Sequence, residues 1–252
     1  MKLVKTLSVL FLLAVAVPTQ AQDVDEIINN YIENTGGADA WNKLEAIKMT
    51  ASANAQGMEI PVEIIQTKDG RQMLKINFQG QEIVQYAYDG ETMWTTNFMT
   101  MAAEKSDAEA TENMKRQAGD FPTAFLNYKD KGYTAELMGS ETKEGTDTFK
   151  VKLTQTPRLV EGVEVPNVTF FYFEKDNFVP IMTEAEITEG PAKGQMSSTT
   201  MSDYQEVDGL YFPFDMGMQG QAITIKEIVL NPEIDDALFA FPGGAEETDD
   251  KD

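Results

Sequence analysis

With 42 aspartates and glutamates and neither histidine nor cysteine, the chain lacks the commonest general base, the thiol nucleophile and the usual zinc and haem ligands. Ser-His-Asp and Cys-His catalysis are excluded. Paired carboxylates, as in glycoside hydrolysis, are the acid–base chemistry left, and they need two acidic groups converging in a cleft about 5 to 10 Å apart. Neither GxxxxGKS nor GxGxxG occurs, so no nucleotide-phosphate loop is encoded. The residue types point to binding of apolar matter and not to an enzyme. Methionines gather near strand ends, at Met93, Met99, Met101, Met196, Met201, Met216 and Met218, and flexible, polarizable side chains suit a pocket that moulds to acyl chains. Together with nearby aromatic and branched residues they give a candidate ligand cavity of Met93, Trp94, Phe98, Phe170, Tyr172, Met201, Tyr211, Met216 and Ile225.

These residues must be held by strands. From Ala46 to Thr96 apolar residues recur with period two, punctuated at Gly57, Asp69-Gly70, Gly80 and Asp89-Gly90. Leu74, Ile76 and Phe78 share one side of a strand, and Val84, Tyr86 and Tyr88 share one side of the next. Strand patterns resume at Tyr133 and continue to Leu230. The total, about 11 to 12, suits an antiparallel barrel or strongly curved sheet. Two segments are apolar on both sides. In NVTFFYFE, Val168, Phe170 and Tyr172 oppose Phe171 and Phe173; in ITIKEIVL, Ile223, Ile225 and Val229 oppose Ile228 and Leu230. Such strands are either buried in a sandwich or curved around a cavity.

Helices flank and interrupt the strands. Val24, Ile27, Ile28, Tyr31 and Ile32 draw one apolar stripe, with Asp23 or Asp25 as cap and Gly36-Gly37 as stop; a short helix around Ala40, Trp41 and Leu44 follows. Between residues 101 and 131 the alternation disappears. A polar stretch precedes FPTAFLNYKD, so two helices, or a loop leading into one, are expected. Phe121, Pro122, Phe125 and Leu126 are candidates to plug an open sheet as a lid, or else form a fixed packing helix.

Residues 1–21 read as a secretory leader: Lys2 and Lys5, the apolar run Leu7 to Val17, and Thr19-Gln20-Ala21 before a cleavage point. Loss of the two lysines leaves 18 basic against 42 acidic residues, a formal charge of −24. That charge disfavours nucleic acid and anionic surfaces. A soluble, exported, unanchored protein of the periplasm is expected, with one domain over 22–242 and an acidic, disordered tail over 243–252.

The order of an N-terminal helix, a meander ending in YDGETMW (Tyr88 to Trp94), a helical interruption, further strands and a closing DDALFAFP (Asp235 to Pro242) resembles the LolA-type outer-membrane lipoprotein carriers. EVDGLYFPF (Glu206 to Phe214) is similar to a late hairpin of such carriers. The resemblance implies an unclosed β-barrel covered by helices, holding the acyl chains of a lipoprotein or another lipid. It implies no cofactor and no metal, and exchange with an inner-membrane transporter and an outer-membrane acceptor. By the same resemblance, Arg71 in KDGRQMLKIN is the candidate clasp that holds the lid closed; a strand-start residue beside a turn is the other reading. The chain departs from the family in its longer TPRLVEGVEVPN segment (Thr156 to Asn167) and stronger negative charge. Relatives of this fold also act as sensors, so a partner-binding protein is the alternative, and a carboxylate hydrolase the remote one.

Overall fold

The computed structural model describes residues 23–242, apart from residues 56 and 219; the expected leader and acidic tail lie outside the described residues. Asp23 caps α1 (Val24–Asn34) by accepting from the Asp25 N–H, and α1 turns its apolar stripe, Ile27, Ile28 and Ile32, into the protein. At the end of α1, Gly36 has φ +123°, and a Cβ there would come within 2.6 Å of the Leu210 side chain. Glycine is required by both backbone and space. The short α2 (Ala38–Trp41) follows, with Trp41 buried and its Nε1 donating to the Thr35 hydroxyl at 3.1 Å.

Among the described residues, thirteen strands then form one antiparallel sheet. The first six are β1 (Ala46–Ala55), β2 (Met58–Thr67), β3 (Gln72–Phe78), β4 (Gln81–Tyr88), β5 (Met93–Thr96) and β6 (Ala103–Lys105). After the insert come β7 (Thr134–Lys143), β8 (Thr146–Val160), β9 (Val163–Glu174), β10 (Pro180–Glu186), β11 (Met196–Val207), β12 (Leu210–Met218) and β13 (Gln221–Leu230). The order is β6-β5-β4-β3-β2-β1-β13-β12-β11-β10-β9-β8-β7, so β1 pairs with β13 and the insert leaves the two ends of the sheet as unpaired edges. The barrel is unclosed. The thirteenth strand, beyond the expected 11 to 12, is β6, whose three residues pair with β5.

The insert forms one helix and not two. It is α3 (Ala108–Gln117), capped by Asp107, followed by a 3-10 turn (Ala118–Asp120) and a chain of turns through residue 132. Good helix formers and the Glu112–Arg116 pair one turn apart sustain α3, whereas Pro122 and the short apolar cluster behind it serve packing.

The two faces of the sheet differ. The inner face carries Ile47 and Ala51 of β1, Ile225 and Ile228 of β13, Leu210 and Phe212 of β12, Val151 and Leu153 of β8 and Phe173 of β9, all in one cluster with α1. The outer face is charged over much of its area. Lys48, Glu63, Lys75 and Glu82 form a ladder across four strands, and Lys143, Lys150, Glu141 and Glu184 another. One apolar patch on this face, Ile65, Met73, Ala87 and Trp94, is covered by Phe239 and Phe241 of the C-terminal segment.

A half-filled concave face as the candidate site

α1 fills only part of the inner face. Phe125 completes that part: its ring meets Phe171 at 4.7 Å, Phe173 at 5.3 Å and Tyr31 at 6.0 Å, all edge to face. Farther from α1, the inner-face residues are apolar but only half-buried. They include Ile60, Val62 and Ile64 of β2, Leu74 and Ile76 of β3, Phe214 and Met216 of β12 and Ile223 of β13. A concave row of branched and aromatic side chains kept partly open is a surface shaped to take apolar chains.

Of the nine residues expected to line a cavity, register places Met93, Met201, Met216 and Ile225 on the inner face. Met201 pairs with Met216 across β11 and β12. Three others lie on the opposite face. Trp94 is buried under the C-terminal segment, its Nε1 donating to the Phe239 carbonyl at 2.8 Å. Phe170 and Tyr172 also point outward, paired with Lys152 and Lys150; the inner residues of β9 are Phe171 and Phe173. Tyr172 is nonetheless 0% exposed. The Lys143 ammonium lies 4.3 Å from its ring centre, and its hydroxyl donates to Glu184. Phe98 is 58% exposed in the loop between β5 and β6, and Tyr211 is 37% exposed. Tyr211 and Met201 share the rim of a 640 Å³ pocket beside the end of α1, with Asn34, Val179 and Tyr204. In that pocket the Tyr204 hydroxyl donates to the Pro180 carbonyl at 2.7 Å, and burial raises its pKa.

Two β-bulges explain further departures from simple alternation. Between Thr50 and Ala51 the pairing with β13 slips, which brings Ile223, Ile225, Ile228 and Leu230 onto one face and leaves Val229 outside. Between Leu74 and Lys75 the pairing with β4 slips too, turning Val84 outward while Tyr86 and Ile83 stay opposite Leu74 and Ile76. ITIKEIVL is therefore not a two-sided strand, and Val84 does not share a side with Tyr86.

α3 spans the seam of the barrel, touching β5, one strand in from the β6 edge, and β8, one strand in from the β7 edge. β7 ends where Thr134 pairs with Thr154, which leaves β8 beyond that point without a strand on that side. α3 occupies the place. Asn113 bonds both backbone groups of Leu159, and Arg116 donates to the Pro157 carbonyl at 2.7 Å and to Glu164 at 2.9 Å. Glu109 accepts from the Glu161 and Gly162 N–H groups. The extended TPRLVEGVEVPN segment is thus the hairpin on which the seam helix rests.

Behind α3, Phe125 and Leu126 are buried, and Phe121 packs against the same cluster, with Pro122 half-buried beside it. The segment is tied to α1 by Tyr128 and Lys129, which both donate to Asp25. These two bonds, from Lys129 first and then Tyr128, hold the Asp25 carboxyl below its ordinary value. The Tyr128 phenol is pushed up to about 12, by burial first and then by Asp25. Nearby, burial raises Asp120, which accepts from Tyr133 at 2.8 Å and Gln155 at 2.8 Å.

Arg71 is not bonded to the lid. Its guanidinium pairs with Asp69 and Asp236 and lies 5.1 Å from the centre of the Phe239 ring. It clasps the C-terminal segment to the outer face. The contact between its turn and the insert is made by Gly70, where an added Cβ would come 2.7 Å from that of Ala118. The lid clasp that the resemblance implied is not formed, and the other reading holds: Arg71 is a strand-start residue beside a turn, directly ahead of β3.

The sequence matches no family model and no curated protein. Among solved structures, a LolA superfamily protein from Nitrosomonas europaea superposes with a TM-score of 0.52 at 12% identity, covering 86% of this chain and 96% of that one. A DUF1329 family protein from Desulfovibrio piger superposes with a TM-score of 0.50 at 15% identity, covering 86% and 97%. An outer-membrane lipoprotein-sorting protein domain from Vibrio parahaemolyticus does so at 0.50 and 12% identity, covering 85% and 94%. The fold is LolA-like.

Proposed function

We propose that the protein carries the acyl chains of lipoproteins or related lipids on the concave face of its open barrel. It would work in the periplasm, taking cargo from an inner-membrane transporter and passing it to an outer-membrane acceptor. One observation carries this reading: apolar side chains of β2, β3, β12 and β13 line the inner face without being fully covered, while the outer face is laddered with ion pairs. The LolA-like fold supports it. Affinity would come from withdrawing methylenes from water, at about 0.8 kcal/mol each, less the cost of immobilising the chain. No group on the inner face needs to react. Release would follow displacement of α3 and of the segment bearing Phe125.

Native mass spectrometry of the protein recovered gently from the periplasm tests the reading. A lipid or acylated peptide bound near one to one is expected. An empty protein that also takes up no fluorescent fatty acid would overturn it in favour of a partner-binding role.

A further inference from the structure

The chain has three arginines, and in a protein with 42 acidic residues two of them are saturated with carboxylates. Arg71 is held by Asp69 and Asp236, and Arg116 by Glu112 and Glu164. Arg158 differs. Its Nε is buried without a hydrogen-bond partner, and its guanidinium forms no ion pair among the described residues. A buried guanidinium donor left unmet is costly and calls for an acceptor.

The backbone sets its direction. Between Gln155 and Arg158 the pairing of β8 with β9 slips, so that Arg158 comes opposite Val165. Val165 lies on the same side of β9 as Asn167, Thr169 and Phe171, the inner side. The guanidinium therefore lies at the far end of the concave face. It borders a pocket of about 320 Å³ with Val160, Val165, Ala185 and Lys193. Lys193, on the loop after β10, also forms no ion pair among the described residues, and Glu186 is the one carboxylate in the lining. From this pocket the inner face continues past the Thr169–Ala185 and Phe171–Thr183 pairs to the ring of Phe125. The six residue-to-residue steps from Val165 to Phe171 span about 20 Å.

We infer that Arg158 anchors the anionic headgroup, a carboxylate or phosphate, of an amphiphile whose chain lies along this track. The inference rests on the acyl-carrier reading and adds to it a polarity for the cargo: charge at the β8–β9 hairpin, tail toward α1. A guanidinium fork bonds a carboxylate or phosphate through two parallel N–H groups, and a wall of valines strengthens those bonds by excluding water. Lys193 would add a second, more mobile charge. That hairpin is the one gripped by α3, so the headgroup would sit where the seam is fastened.

Competition against N-phenyl-1-naphthylamine, with palmitate and hexadecanol as ligands of equal chain length, tests the anchor on the mature protein. Wild type is expected to bind palmitate at least tenfold more tightly than hexadecanol. Arg158→Gln should bring the two within about twofold, and Arg158→Lys should restore part of the difference, with thermal melting confirming that both variants are folded. Uptake of the dye without a palmitate preference, or a preference that survives in R158Q, would overturn the anchor and leave the acyl site standing. Failure of wild type to take up any of the three would remove the acyl site and the anchor with it. Stabilisation of wild type by inorganic phosphate as large as that by palmitate, and lost in R158Q, would assign Arg158 to a free anion and not to a lipid.

Discussion

Asn113 completes the edge of β8 as a neighbouring strand would: its amide donates to the Leu159 carbonyl at 2.8 Å and accepts from the Leu159 N–H at 2.7 Å. One side chain therefore satisfies a backbone edge that β7 leaves open. Asn113→Ala should lower stability by about 1–2 kcal/mol, since two part-buried backbone groups lose their partners. Urea denaturation measures that loss. Hydrogen exchange at the Leu159 amide should accelerate in the same variant, and a bound fluorescent fatty acid should leave faster.

The C-terminal clasp and the concave face are separate devices. Phe239 is fully buried over the patch that contains Trp94, so Phe239→Ala should cost about 3–5 kcal/mol. Trp94 emission should shift to the red as its cover loosens. Arg71→Leu should cost only about 1 kcal/mol, because Asp236 is largely solvated and the ring contact is modest. Cargo exchange in R71L should match wild type. A faster release from R71L would restore a lid role to this arginine.

Face assignment is open to direct test. Met216→Asp places a charge on the half-buried inner row and should weaken uptake of a fluorescent fatty acid at least tenfold, about 1.4 kcal/mol or more. Tyr172→Phe, on the outer face, should leave uptake unchanged while loosening the Glu184 contact. Equal losses in both variants would contradict the two-faced sheet.

Acid should loosen the tie between α1 and the segment behind α3. The folded-state pKa of Asp25 is depressed by its bonds to Lys129 and Tyr128. Its contribution to stability is thus present in full above the unfolded carboxyl value, near 3.9, and is lost as pH falls through the lower folded value. Asp25→Asn should be less stable than wild type at pH 7, and the difference should shrink below pH 4. Urea midpoints for the two proteins across pH 2.5–7 give the comparison.

Much of this protein is determined by the sequence alone. Absence of histidine and cysteine removes whole classes of chemistry whatever the fold. The stripe through Ile27, Ile28 and Ile32 commits that segment to a buried helix face, and the glycine-marked turns fix where strands end, because both depend on neighbours within a few residues. Period two shows that Phe171 and Phe173 share a side. It does not show that theirs, and not that of Phe170 and Tyr172, is the concave one, since both sets are aromatic and the choice depends on where α1 and Phe125 pack. Tertiary structure alone decided this, and also the bulges that turned Val84 and Val229 outward. The same holds for charge. Which of three arginines finds carboxylates is set by strands and segments far apart in sequence, as in the contact of Arg71 with Asp236, and only the folded chain leaves Arg158 on the inner face without an ion pair among the described residues.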